Sequence, residues 1–478
     1  MQKNIEPSLS NIKKWSTLLH IDNHFFVLFI FLVTALIIYY PIFDFTFFQD
    51  DFVWISHAKD IWGGSAQIFT LKISHFVMPM VYGYFALAFK IFGLHSTFFY
   101  LVNILIHVMN SYLLFCIIKK LLPQHIAFFS SSIFLVLRYP LEAVSWISAV
   151  TVLLTTLLLL LAGLSWIYFV ESNLKLYYAL TFIFCILLIF TKEWSILVIP
   201  FCILFYILIQ LKRQQPIWSK KYFLYFLPIL IMFGIYLGYE SVLQRESSVL
   251  ITQGFYMIGW HALPNCVNNI LLTFIPFTKL VHAEPMVWLT ASTIFLITGL
   301  VAGLYIYIKT KNPLGIGLVW MIISFIPTSF FTWDPYVSRY AYIPTIGAVL
   351  YIGYGLKILQ DLKLKKWIIH IAYSVLLVYG LVNILFTHRV LHNLYKPIHD
   401  ENKLFTEALY QIEPRLQKNE DIAIYHITPH KFFILPEILH TLIDVDPQKI
   451  HVPQNIEECM KYSQCLFWNS ETKIIELL

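Results

Sequence analysis

"YYALTFIFCILLIFTKEWSILVIPFCILFYILIQLKR", residues 177–213, decides how the chain is laid out. As one helix, Tyr177 to Leu211 would be roughly 50 Å long at 1.5 Å per residue, too long for a bilayer core of about 30 Å. "TKEW" at 191–194 interrupts it, so the run reads as a hairpin with Lys192 and Glu193 at its tip. The first arm, Tyr177 to Phe190, is only about 21 Å by the same rise. A short arm sinks the tip below the membrane surface, where charges are tolerated if they pair or line a cavity.

The rest of the chain agrees. Of 478 residues 59% are hydrophobic, 17% aromatic and only 13% charged, against about 25% charged in a soluble domain. Apolar runs of about 20 residues recur, so this is a membrane protein. The first begins near His24 behind a polar leader; it is too long for a cleaved signal, and no small-residue cleavage motif follows. The net charge of +6 is spread over segment ends, the positive-inside pattern rather than a nucleic-acid surface.

Lys3, Lys13 and Lys14 put the N-terminus in the cytoplasm. One alternation keeps every later Lys/Arg cluster inside, with eleven spans near 25–43, 97–118, 123–138, 147–170, 176–190, 194–211, 222–243, 287–308, 314–332, 340–357 and 367–387. Two apolar stretches, 76–93 and 254–277, are then expected to lie in the interface; in the alternative both cross and their inversions cancel. The expected organisation is a cytoplasmic segment (1–24), an all-α transmembrane core (25–387) with outer loops 44–96 and 244–286, and a small extracytoplasmic α/β domain (388–478). In that domain 421–427 and 464–469 read as strands, 432–443 and 455–462 as helices. None of the six cysteines has metal-ligand spacing; Cys459 and Cys465 could pair in an oxidising compartment.

This topology collects scarce charges on the outer face. They are Asp50 and Asp51 in "DFTFFQDDFVWISHAKD" (44–60), Arg138 and Glu142 in "RYPLEAVSW", Lys192 and Glu193, and Asp334 and Arg339, with His57 and His75 in the first loop. A carboxylate pair among cations suits transfer to a hydroxyl from an anionic leaving group: one carboxylate takes the acceptor proton, the cations hold the phosphate. Each piece also has a plainer reading. The aspartates could be a solvated loop or a helix cap; Arg138, Lys192 and Arg339 could be snorkelling. Glu142 and Glu193 could merely neutralise those cations, and the histidines are better read as structural. A divalent metal on the aspartates is conceivable but unspecific in spacing. An ion-lined cavity would serve a carrier equally.

The order of these pieces resembles the GT-C superfamily of polyprenyl-phosphate-sugar-dependent glycosyltransferases, most closely its protein O-mannosyltransferase-like and transmembrane, TPR-containing members. "FFQDDFVWI" looks like their acidic first-loop motif, and "FGLHSTFFYLVNILIHVMNSYLLF" (92–115) their second span, with Asn103 and His107. "RYPLEAVSWISAV" (138–150), "TKEWSILVIP" and "SRYAYIPTIG" (338–347) are similar to three further motifs, the match covering roughly residues 25–357.

The resemblance implies a dolichyl- or undecaprenyl-phosphate sugar donor and inverting attack at the outer face. It places the catalytic carboxylates at Asp50, Asp51 and Glu142, the donor phosphate on Arg339, Lys192 and Arg138, and supporting roles on Glu193, His57 and His75. The partners are the lipid donor, a hydroxyl acceptor (protein, polymer or glycolipid) and membrane lipids, with no nucleic acid. Three positions depart from the pattern: "FVMPM" lacks an arginine, and Tyr139 and Ser338 stand where the relatives carry His and Glu. There is no TPR array. The absence of any Asn-x-Ser/Thr sequon favours a bacterial inner membrane, hence undecaprenyl phosphate. The competing expectations are a lipid or solute transporter and a non-catalytic family member that binds lipid-linked sugar.

Overall fold

The computed structural model describes residues 23–68, 78–217, 219–245, 254–275, 284–332, 336–362, 364–427, 434–469 and 471–478. His75 and Asp334 lie outside these. The chain begins with α1 (His24–Tyr39), capped by Asn23, whose side chain accepts the Phe25 N–H at 2.9 Å. The stretch after α1 folds into α2 (Asp50–Gly63) and α3 (Pro79–Phe92), held face to face by Trp54 stacked on Phe85 at 5.1 Å. Then come α4 (Ser96–Leu121), α5 (Gln124–Val136), α6 (Val150–Ser172), α7 (Lys175–Ile189) and α8 (Val198–Arg213), which supply much of the buried apolar centre. Around it lie α9 (Lys220–Arg245), α10 (Ala262–Phe274), α11 (Pro285–Thr310), α12 (Ile316–Ser329), α13 (Thr345–Asp361) and α14 (Lys366–Val390).

All eleven segments expected to span are helical. Among the described residues seven helices are long and apolar enough to cross a membrane, or eight if one bent pair counts as a span. That pair is α5 with Tyr139–Ser145, bent by 65°. Leu137 is extended there, and Pro140 follows two residues after Arg138. The hairpin of the 177–213 run is present: α7 stops at Ile189 and a 3₁₀ turn, Glu193–Leu197, leads into α8. The two stretches expected to lie in the interface each hold a short helix, α3 of 14 residues and α10 of 13.

One end of the bundle gathers the ends of α4, α6 and α8. Lys120 pairs with Glu171 at 2.8 Å, and Arg213 reaches the same carboxylate at 3.8 Å. These are the cations placed on one side by the charge pattern. Within the bundle, α4 carries a row of buried polar residues. Asn103 donates to the Val144 and Trp146 carbonyls, and His107 bonds Tyr342 Oη at 2.7 Å and the Leu135 carbonyl at 3.1 Å. This row fixes the backbone of the 138–150 segment to the centre of the fold.

Composition changes at position 388, but the helix does not break there. α14 runs through a π turn (Leu391–Tyr395) into α15 (Lys396–Ile412). A four-stranded sheet follows, ordered β2 (Ile450–His451), β1 (Ile422–Tyr425), β3 (Gln464–Asn469), β4 (Ile474–Leu477). β1 is parallel to both β2 and β3, and β4 is antiparallel to β3. α16 (Leu435–Ile443) connects β1 to β2, and a disulfide joins Cys459 to Cys465. Phe405 of α15 packs edge-on to Trp468, tying the last long helix to the sheet.

Candidate active site

The acidic pair sits at the first turn of α2, preceded by Gln49 with φ 47° and ψ −123°. A non-glycine residue in that region is strained and persists only where its surroundings hold it. The two aspartates then part company. Asp51 is fully buried and accepts the Phe48 N–H at 2.9 Å, the Ser148 N–H at 2.8 Å and the Ser148 hydroxyl. Burial pushes its pKa up to about 7; those hydrogen bonds hold it back, and the neighbouring Asp50 charge adds to the rise. It locks the loop onto the Ile147–Ala149 turn. Asp51 is not the cap of α2: the N-cap position is Gln49, which makes no side-chain cap bond, and the Asp51 carboxylate bonds back to Phe48 and across to Ser148.

Asp50 is exposed, and among the described residues its carboxylate accepts no hydrogen bond. Protein crowds it closely enough that desolvation raises its pKa, while the charges of Arg339 and Lys192 oppose the rise. Lys192 answers in kind: burial lowers its pKa, and Glu193 and Asp50 resist that lowering. Its ammonium lies 4.7 Å from the Trp194 ring centroid.

Arg339 is the best-fixed cation. It pairs with Glu142 Oε1, its own N–H donates to Oε2 at 3.3 Å, and its guanidinium lies 4.6 Å from the Trp146 ring and 4.9 Å from Tyr340. Burial alone would lower its pKa; Glu142 overrides this and keeps it charged. Glu142, expected among the catalytic carboxylates, is thus paired with Arg339 rather than open. Ser338, where the resembled motif has Glu, donates to Glu142 Oε2 at 3.3 Å, leaving a single carboxylate on Arg339. Tyr139, in place of His, is buried and donates to Asn269 Oδ1 at 2.6 Å.

The structure thus joins Asp50, Lys192, Arg339, Glu142 and Glu193. Arg138 sits beside that group: its backbone N–H donates to Asn383 Oδ1 at 3.0 Å, and its charge acts on Tyr395, as do those of Glu142 and Arg339. The break after α5 brings its backbone against α14. His57 faces Asp60 at 3.9 Å, away from the acidic turn, with a pKa lowered by burial. Among the described residues no three His, Cys, Asp or Glu side chains stand together as a metal site. With Asp51 accepting three hydrogen bonds, Asp50 is the one open carboxylate of the acidic pair.

Behind the Glu142–Arg339 pair lies a chamber of about 260 Å³ lined by Phe48, Glu142, Trp146, Leu394, Tyr395 and His399. An apolar groove of about 410 Å³ runs between α1 and α14 along Val33, Leu36, Ile37, Tyr40 and His388. Sequence reasoning missed Ser148, Tyr395 and His399. Ser148 lay inside the quoted 138–150 motif, but nothing marked the other two.

Two solved structures share this fold. One is the archaeal oligosaccharyltransferase AglB from Archaeoglobus fulgidus, in complex with an inhibitory peptide and a dolichol-phosphate, at TM-score 0.50 and 12% identity over 89% of this chain. The present chain spans 64% of that protein's length. The other is ArnT from Cupriavidus metallidurans bound to undecaprenyl phosphate, at TM-score 0.50 and 13% identity, covering 90% of this chain and 86% of that one. No protein-family model and no curated protein matches the chain. At such identities the likeness is one of fold. The chain is a polytopic integral-membrane protein that shares its fold with these two structures.

Proposed function

We propose that this protein is an inverting glycosyltransferase that moves a sugar from a polyprenyl-phosphate donor to an acceptor hydroxyl at the outer membrane face. The observation that carries it is the open Asp50 carboxylate, unbonded and exposed, in the field of Lys192 and of an Arg339 held by Glu142. Asp50 takes the proton of the acceptor hydroxyl as its oxygen attacks the anomeric carbon. The bond from that carbon to the phosphate oxygen breaks, and the electron pair stays on the phosphate. Arg339 and Lys192 stabilise the charge gained there. A single displacement inverts the anomeric configuration. The groove between α1 and α14, with its mostly apolar lining, is the place this reading gives the isoprenoid.

Eleven crossings with the N-terminus inside, undecaprenyl phosphate as the lipid, and a bacterial inner membrane belong to this reading. So do an O-mannosyltransferase-like donor preference and an extracytoplasmic C-terminal domain. The two fold neighbours support the lipid class, as both were solved with a polyprenyl phosphate. The test is transfer from polyprenyl-phosphate sugars by the purified chain in nanodiscs, wild type against Asp50→Asn. Equal transfer by a folded Asp50→Asn protein would falsify the assignment.

A further inference from the structure

We propose that the C-terminal α/β unit is a clamp that positions Asp50, acting through a charged latch between α2 and α16. What it implies for turnover rests on the glycosyltransferase reading; the latch itself does not.

Helix α2 carries Asp50 at its first turn but has no membrane span of its own to hold it. Its entrance is strained at Gln49, and its exit is Gly64 at φ 79°. The C-terminal part of the chain grips this stretch on both sides of the acidic turn. Before it, the Thr46 hydroxyl donates to the His399 carbonyl at 3.3 Å. Just after it, the Thr441 hydroxyl donates to the Phe52 carbonyl at 3.3 Å. Two turns further on, Lys59 donates to the His440 carbonyl at 2.8 Å and pairs with Asp444 at 2.7 Å. His440 Nε2 in turn meets Asp60 Oδ1 at 3.1 Å.

The chemistry of the latch is directional. Lys59 reaches the C-terminal end of α16, where unpaired carbonyls and the helix dipole favour a cation. Asp444 caps that end in the left-handed region at φ 62°, and its hydrogen bond and ion pair with Lys59 lower its pKa. The charged and titratable groups around His440 are Lys59, Asp60 and His57 from α2, with Glu437 and Asp444 from its own segment. Beneath the latch α16 buries Leu435, Ile438, Leu439 and Ile443. The latch makes Lys59, Asp60, His440 and Asp444 positioning residues: they touch no reacting atom but fix the helix that presents one.

The test is hydrogen–deuterium exchange of residues 50–56 in the full chain in nanodiscs, with no substrate present. Lys59→Glu is expected to raise exchange there about tenfold, and the swapped pair Lys59→Glu/Asp444→Lys to restore most of the protection. Thermal unfolding of the whole protein should barely move, because the latch is local. Turnover should fall in Lys59→Glu and recover in the swap, while the affinity for undecaprenyl phosphate alone stays constant. Unchanged exchange in Lys59→Glu, or no recovery in the swap, overturns the clamp. Should Lys59→Glu not fold, Asp444→Ala exchange decides by the same criterion. If the wild-type protein neither binds undecaprenyl phosphate nor transfers sugar, the functional reading fails while the exchange result still judges the clamp.

Discussion

The two ends of the bundle are built from similar charges and handle them in opposite ways. At the end where α4, α6 and α8 terminate, Lys120 and Arg213 share Glu171, and Lys212 donates to the Lys120 carbonyl. At the other end Glu142 satisfies Arg339, but Asp50 and Lys192 face each other's field without a hydrogen bond or ion pair among the described residues. Charges that serve only the fold are expected to be paired, because an unpaired one costs stability. Asp50 is exposed and stays unpaired at little cost, but Lys192 is partly buried, and there a ligand would supply the missing partner. On the proposed function, the difference separates a structural cluster from a functional one.

Substitutions at the unpaired end should therefore strike activity and spare stability. Asp50→Asn should lower transfer by about 100- to 10,000-fold, the usual range for losing a general base. Its thermal unfolding should match wild type, since the carboxylate bonds nothing. Next comes Arg339→Lys, expected to cost about 100-fold or more, because a point charge cannot reproduce a guanidinium held by Glu142 and stacked on Trp146. Steady-state kinetics on the two variants would check both.

Acidity gives a finer probe. Asp50 must be ionised to accept a proton, and burial raises its pKa above the ordinary carboxylate value. The acid limb of kcat/KM should therefore lie above the range of an exposed aspartate. Lys192 must be charged to hold phosphate, and burial lowers its pKa. Activity should thus fall at high pH sooner than a free lysine would allow, and Lys192→Arg should extend the limb upwards. Asp51 bears on stability. Its folded pKa is raised to about 7 from 3.8, so its contribution is fully present below the unfolded value and is lost as pH rises from about 4 through about 7. The gap in unfolding temperature between wild type and Asp51→Asn should accordingly change sign or size across that window. A pH-independent gap would mean that Asp51 does not titrate there.

The sequence carried the helices and the motif order because apolar runs, Lys/Arg clusters and breaks such as "TKEW" are local signals. β1 and β3 were legible for the same reason. β2 has two residues and β4 ends the chain, and neither shows alternation. Asp50 and Asp51 looked equivalent because what separates them is Ser148, nearly a hundred positions away. Arg138 meets Glu142 and Arg339 through Tyr395, a residue far along the chain beyond a 65° bend, and no composition encodes either. Nothing local marks Asp60 either, because its partner His440 lies 380 positions further on, in α16.

The smallest effect is expected at the paired end, and it tests the contrast most sharply. Glu171→Gln leaves Lys120 and Arg213 without their shared carboxylate. Lys120 keeps a second hold, its ammonium lying 4.3 Å from the Tyr168 ring centroid, and Arg213 keeps the Val170 carbonyl at 3.3 Å. With such fallbacks and partial exposure, the loss should be about 1 kcal/mol or less. Transfer should stay within about twofold of wild type, as surface ion-pair changes away from the chemistry usually do. Should Glu171→Gln instead abolish transfer in a protein that still folds, paired and unpaired charge would no longer mark structure and function apart. The Asp50 assignment would then rest on motif order alone.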